Sequence, residues 1–174
     1  MLSFKTTRII SLILRILSAI ALFTSIVILG INNIDLIPYK NGKPAGKPYT
    51  AHFYDIVGFR YIFATAFIGT AYSIGQGVCT IIHLAKGKEV GHVTFDFYAE
   101  EVMSNFLASG AVAGFITAAQ YLKMWDEINS LIDHRFINMT YIASGLVIFA
   151  FLSSFVISIF SSYALGRNDD DELL

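Results

Sequence analysis

At 174 residues the chain could form one ordinary soluble domain, but 55% hydrophobic and 14% charged residues with a mean hydropathy of +0.63 exclude that class. A net charge of -1 excludes the basic footprint of a nucleic-acid binder, so no nucleic acid is expected as partner. The single cysteine, Cys79, excludes an internal disulfide framework and any CxxC redox or zinc motif, and reads as a small packing residue.

The chain opens with Lys5 and Arg8, followed by an apolar run over 9–31 that only Arg15 interrupts. A basic start before an apolar stretch is also the pattern of a signal peptide, and Ala19-Ile20-Ala21 mimics a cleavage site. That triplet falls in the middle of the run, however, and Arg15 is foreign to a processed segment, so 9–31 is taken as the first membrane helix. The loop over 32–57 carries Pro38, Asn41-Gly42, Pro44, Gly46 and Pro48, which argue against a long regular element. Lys40, Lys43 and Lys47 make it locally basic, the usual composition of a solvated connector.

A second helix is expected over 59–85, apolar apart from Arg60 at its mouth and Gln76 deep within it, with Gly69, Ala71, Gly75 and Gly77 as small residues for helix contacts. The connector 86–95 is short, which makes the second and third helices antiparallel neighbours. The third helix, 99–122, begins among Asp96, Glu100 and Glu101 and then runs uncharged over 102–122, long enough to cross a hydrocarbon core of about 30 Å. Gly110 and Gly114 form a GxxxG pair along it, which admits a second backbone either within one bundle or between subunits. In the loop 123–137, Trp125, Ile128, Leu131 and Ile132 suggest a short amphipathic segment lying at the membrane interface. The fourth helix, 139–165, places Ser154, Ser158 and Ser162 on one small polar packing face, and the tail 166–174 is acidic. The fold class that follows is an all-α integral membrane protein, a single antiparallel four-transmembrane-helix bundle spanning 1–174.

Four spans put both termini on one side of the membrane. Lys5, Arg8, Arg15, Lys86, Lys88 and Arg167 lie on that side, against Lys40, Lys43, Lys47, Arg60, Lys123 and Arg135 on the other. With the basic residues so balanced, the positive-inside rule assigns no orientation.

Several blocks are similar to those of the plant Casparian strip membrane domain protein-like (CASP-like) family, which in turn resembles the MARVEL tetraspan group. They are Leu14-Arg15-Ile16-Leu17; His52-Phe53-Tyr54-Asp55 with Phe59-Arg60-Tyr61; Ala71-Tyr72-Ser73-Ile74-Gly75-Gln76; Phe95-Asp96-Phe97-Tyr98 through Val102-Met103-Ser104 to 109–115; and Ser161-Ser162-Tyr163-Ala164-Leu165. The blocks touch all four spans. Glu100 stands where the family usually has an aspartate, which keeps the charge and adds one methylene of reach. The first loop lacks the signature segment of true Casparian strip members and the second has no cysteine, so the resemblance is to a CASP-like relative. It implies a plasma-membrane protein with cytosolic termini and extracellular loops at 32–57 and 123–137. It also implies self-association, alone or with related CASP-like proteins, into a scaffold that organises a membrane domain and recruits cell-wall or other membrane proteins.

Arg15 and Glu100 are the foremost candidate site. If the first and third helices enter from one side near residues 9 and 95, both lie five or six residues in, at a depth of about 8 to 9 Å. A lone charge in hydrocarbon costs on the order of 3 kcal/mol on insertion scales, which pairing removes. The resemblance marks the same two positions. The alternative is that Arg15 snorkels while Glu100 or Glu101 sits among headgroups. Arg60 is expected to act similarly in the other leaflet, near Asp55 or Asp133, or to anchor the span at the interface.

His92, Asp96 and Glu100 recur every fourth residue, but they match no metal motif, so neither metal nor cofactor is expected. Asn138-Met139-Thr140 is a glycosylation sequon that abuts the fourth helix. Asp169 to Leu174 fits an acidic dileucine signal as well as a plain solvated tail. Nothing in the sequence argues for catalysis. Two other readings stay open: a small channel or transporter lined by Arg15, Glu100 and Gln76, and a membrane-trafficking tetraspan.

Overall fold

In hydrocarbon every backbone N–H and C=O must be satisfied within the protein, so long apolar stretches without prolines become helices. The computed structural model describes residues 4–36, 39–40, 43–44, 49–86, 93–128 and 134–172. Its main elements are α1 (Phe4–Ile31), α2 (Val57–Lys86), α3 (Val93–Ile128) and α4 (His134–Glu172). Each contains a segment long and apolar enough to cross a membrane: Thr6–Ile31, Val57–Ile82, Phe97–Lys123 and Arg135–Ser162. The helices pack in a ring, α1 on α2, α2 on α3, α3 on α4 and α4 back on α1, with the α3–α4 interface the largest. The protein is an all-α four-helix membrane bundle.

The helices run further than their apolar content alone suggests. Most of the stretch 123–137, expected as a loop with an interfacial segment, continues α3 to Ile128 and α4 from His134; residues 129–133 lie outside the described residues. No proline or glycine occurs over 123–128 or over 134–137, so nothing within those segments breaks α3 before Ile128 or delays α4 beyond His134. α3 also begins earlier, at Val93, and α4 carries through the acidic tail to Glu172. At 36 residues α3 is about 54 Å long, well beyond the hydrocarbon thickness, so its ends stand clear of the apolar slab. The first loop does hold regular structure, in short pieces. β1 (Asn33–Leu36) pairs antiparallel with β4 (Tyr49–His52), and β2 (Tyr39–Lys40) with β3 (Lys43–Pro44). A 3₁₀ turn at Phe53–Asp55 then leads into α2.

The bundle is arranged with its polarity inward. On α1 the buried positions are Arg15, Ser18, Ala21, Leu22, Ser25 and Leu29, a stripe of three- and four-residue spacings that Asn32 continues just past the helix end, whereas Ile9, Ile13, Leu17, Ile20, Phe23 and Val27 face outward. Lipid tails are as apolar as leucine, so burying leucine gains little there. Helix association instead draws on close packing and interhelical hydrogen bonds. Ser25 accordingly donates to the carbonyl of Ala143 at 3.0 Å. Asn32 Nδ2 donates to the carbonyl of Phe136 at 2.9 Å and to Thr140 Oγ1 at 3.1 Å. These bonds fasten α1 to α4.

Between α2 and α3, small residues set the distance. A Cβ added at Gly110 would stand 2.5 Å from Thr65 Cγ2, and one at Gly114 would stand 2.6 Å from Ile62 Cδ1 and also meet the Ser144 hydroxyl. The GxxxG pair of α3 therefore packs inside one chain, against α2 and α4. Midway along the bundle Leu22, Leu29, Ile62, Ala66, Leu107, Ala111, Ala143, Val147 and Ala150 form a continuous apolar cluster. A second cluster, Ile56, Phe59, Phe136 and Ile137, closes the end that carries the first loop.

Candidate functional site

Near the opposite end, where α1 begins and α4 finishes, the buried charges meet. Arg15 Nη1 forms an ion pair with Glu100 Oε1, the two side chains being 8% and 1% exposed. The other carboxylate oxygen, Glu100 Oε2, accepts a hydrogen bond of 2.6 Å from the Ser154 hydroxyl of α4. One turn further out, Ser158 donates to Glu101 Oε2 at 3.3 Å, and Glu101 is exposed. The carboxylate pair of α3 is thus read by two serines one turn apart on α4, because i and i+4 side chains of a helix lie on one face. Ser154 and Ser158 do more than make a small packing face: each hydroxyl donates to one of the acids, and Ser154 serves the one that is buried.

Tyr72 of α2 completes the cluster and has no obvious counterpart in a reading by charge, since it is an aromatic in an apolar stretch. It lines a small cavity together with Arg15, Ser18, Ser73, Glu100 and Ser154, so all four helices contribute to one polar chamber. Within it the hydroxyl of Tyr72 faces Glu100 and Arg15, but neither that hydroxyl nor Arg15 Nε makes a hydrogen bond of normal geometry. Glu100 Oε1 has no partner beyond the ion pair with Arg15. Gln76, one turn along α2 from Tyr72, does not line the chamber; its backbone carbonyl accepts the hydroxyl of Thr80 at 2.9 Å.

The remaining candidates stay apart from this cluster. Arg60 is exposed at the mouth of α2 and donates from Nε to the carbonyl of Tyr54, while Asp55 accepts from the backbone N–H of His52 at 2.9 Å. Asp133 and His92 lie outside the described residues, as do Leu173 and Leu174. Among the described residues no group of three or more His, Cys, Asp or Glu is placed to hold a metal ion. Cys79 is exposed on α2. Asn138 is exposed in the second turn of α4, but the sequon's Thr140 is fully buried, donating to the carbonyl of Phe136 at 3.0 Å and accepting from Asn32.

Chemically, the cluster is a lock. A carboxylate, a guanidinium and a serine hydroxyl come from three helices and neutralise one another where water is scarce.

Comparison with known proteins agrees with this architecture. The family model described as the Casparian strip membrane protein domain matches residues 5–156. A CASP-like protein 4D1 from Ricinus communis is 35% identical over 92% of this chain and 94% of its own length. A CASP-like protein 4D1 from Populus trichocarpa is 33% identical over 92% and 89%. A CASP-like protein 4D2 from Arabidopsis thaliana is 28% identical over 93% and 92%. No solved structure matches the chain. With a family match across nearly all of the membrane bundle and relatives of the same length, the chain belongs to the CASP-like family of Casparian strip membrane domain proteins.

Proposed function

We propose that the protein is an oligomeric plasma-membrane scaffold of CASP-like type, with both termini cytosolic, which organises a membrane domain and recruits cell-wall or other membrane proteins. It acts by assembly and not by catalysis. The observation that carries this reading is where the bundle places its polar groups. The ion pair, its serines and the GxxxG glycines all turn inward and hold one chain together, leaving an apolar exterior available to lipids and other subunits.

On that exterior, Ala71, Gly75 and Cys79 of α2 are exposed at spacings of four, and a Cβ at Gly75 would meet nothing within 4 Å. The fold has no need of a glycine there, whereas a helix of a second copy could approach it closely. A structural role is favoured over conduction by the apolar cluster around Leu22, Ile62, Leu107 and Val147, which lies directly beyond the charged chamber.

Photobleaching recovery of the fluorescently tagged protein in a plant plasma membrane tests the proposal. Slow recovery of the wild type, accelerated in a Gly75→Leu variant that still reaches the surface, is the expected result. Recovery as fast as that of a monomeric four-span marker in the wild type itself would overturn it.

A further inference from the structure

The polar chamber has hydrogen-bonding capacity left over. Arg15 Nε–H and the Tyr72 hydroxyl are buried donors without an acceptor, and Glu100 Oε1 is an acceptor whose one contact is the Arg15 ion pair. Their three residues line the same cavity, whose volume open to the centre of a water molecule is about 10 Å³. A cavity of about 10–15 Å³ on that measure holds one water, provided it offers two to four polar partners. Buried polar groups in native proteins are almost always satisfied by protein or ordered water, and the shortfall matters most for a charged group.

We propose that this chamber is a binding site for a single structural water, held by Arg15, Tyr72 and Glu100. The water accepts from Arg15 Nε–H and from the Tyr72 hydroxyl and donates to Glu100 Oε1, which leaves its second proton for the remaining lining. Three bonds are what a buried water typically makes. The alternative, a direct turn of the Tyr72 hydroxyl onto Glu100, leaves Arg15 Nε–H without an acceptor in an apolar medium. Through the water, α2 is joined to the α1–α3–α4 lock. α2 otherwise meets α3 through close-packed small residues such as Gly110 against Thr65 and through a hydrogen bond of 2.8 Å between the Tyr61 and Ser109 hydroxyls. Tyr72 is therefore a positioning residue: it touches the ion pair through the bound water and adds a polar contact from α2 to the lock. The site depends only on this geometry and is independent of whether the chains assemble.

The test is water-edited solid-state NMR of the full chain, labelled with ¹⁵N-arginine, in phosphatidylcholine bilayers, with Arg15→Leu used to assign the Arg15 Nε–H signal. The expected result is magnetisation transfer from water to Arg15 Nε–H in the wild type, falling by about twofold or more in Tyr72→Phe as one of the water's partners is removed. The rest of the Tyr72→Phe spectrum is expected to stay unchanged, since Phe keeps the ring. Absence of transfer in the wild type would overturn the site. Transfer that persists undiminished in Tyr72→Phe would overturn it equally, because the water would then be held without Tyr72.

Discussion

Replacing Glu100 by leucine should destabilise the bundle far more than replacing Glu100 and Arg15 together. Glu100 is 1% exposed and engages both Arg15 Nη1 and Ser154, so Glu100→Leu strands a guanidinium in a chamber walled by Leu107 and Ala150. Breaking a buried pair from one side typically costs about 3–5 kcal/mol, the same order as inserting a lone charge at mid-membrane depth. Glu100→Gln keeps an acceptor for Arg15 or Ser154 while losing the charge, and should cost about 1–3 kcal/mol. In Arg15→Leu/Glu100→Leu no charge remains to be desolvated, so the cost should fall to about 2 kcal/mol or below. The two single replacements are therefore expected to couple by about 3 kcal/mol or more. Equilibrium unfolding in mixed micelles titrated with SDS, followed by helical circular dichroism, reads the wild type, Arg15→Leu, Glu100→Leu, Glu100→Gln and the double variant on one scale. A double variant as unstable as the sum of the two singles would refute the pairing as the lock of the fold.

Gly110→Leu should lower the thermal midpoint in detergent strongly, because a Cβ there already stands 2.7 Å from Thr65 Cβ and α2 and α3 would have to separate; Gly75→Leu should leave it unchanged. Equal midpoints for the two variants would show that α3 does not approach α2 this closely. Asn138 should remain without a glycan, since Thr140 of its sequon is buried and its hydroxyl is engaged with Phe136 and Asn32. Treatment of protein from plant membranes with peptide-N-glycosidase should leave its electrophoretic mobility unaltered, and a shift absent from Asn138→Gln would contradict this.

Much of the fold is legible from hydropathy, because backbone satisfaction in a membrane leaves few options for an apolar segment of this length. Arg15 and Glu100 stand out in the sequence because each interrupts or borders an apolar run at similar depth, and a charge there demands a partner. Gln76 draws attention by the same logic of polarity, yet it stands one turn further along the same face of α2 as Tyr72, and of the two only Tyr72 is level with the chamber. A tyrosine in an apolar segment gives no such signal; only its place one turn before Gln76, on the face that meets α1 and α3, reveals it. Gly110 and Gly114 announce a close approach, but the pattern is the same for contacts within a chain and between chains. The neighbours Thr65, Ile62 and Ser144 decide for the former. The stretch 123–137 is polar enough to read as a loop, but polarity fixes where a helix leaves the membrane and not where it ends; with no proline or glycine over 123–128, α3 continues to Ile128.

The central claim is that an inward-facing polar lock frees the exterior of the bundle for assembly. The most direct measurement is subunit counting by stepwise photobleaching of the tagged wild-type protein, extracted from plant plasma membrane in native-membrane nanodiscs. Several bleaching steps per disc, reduced to one in Gly75→Leu, are predicted. A single step per disc for the wild type would contradict the account.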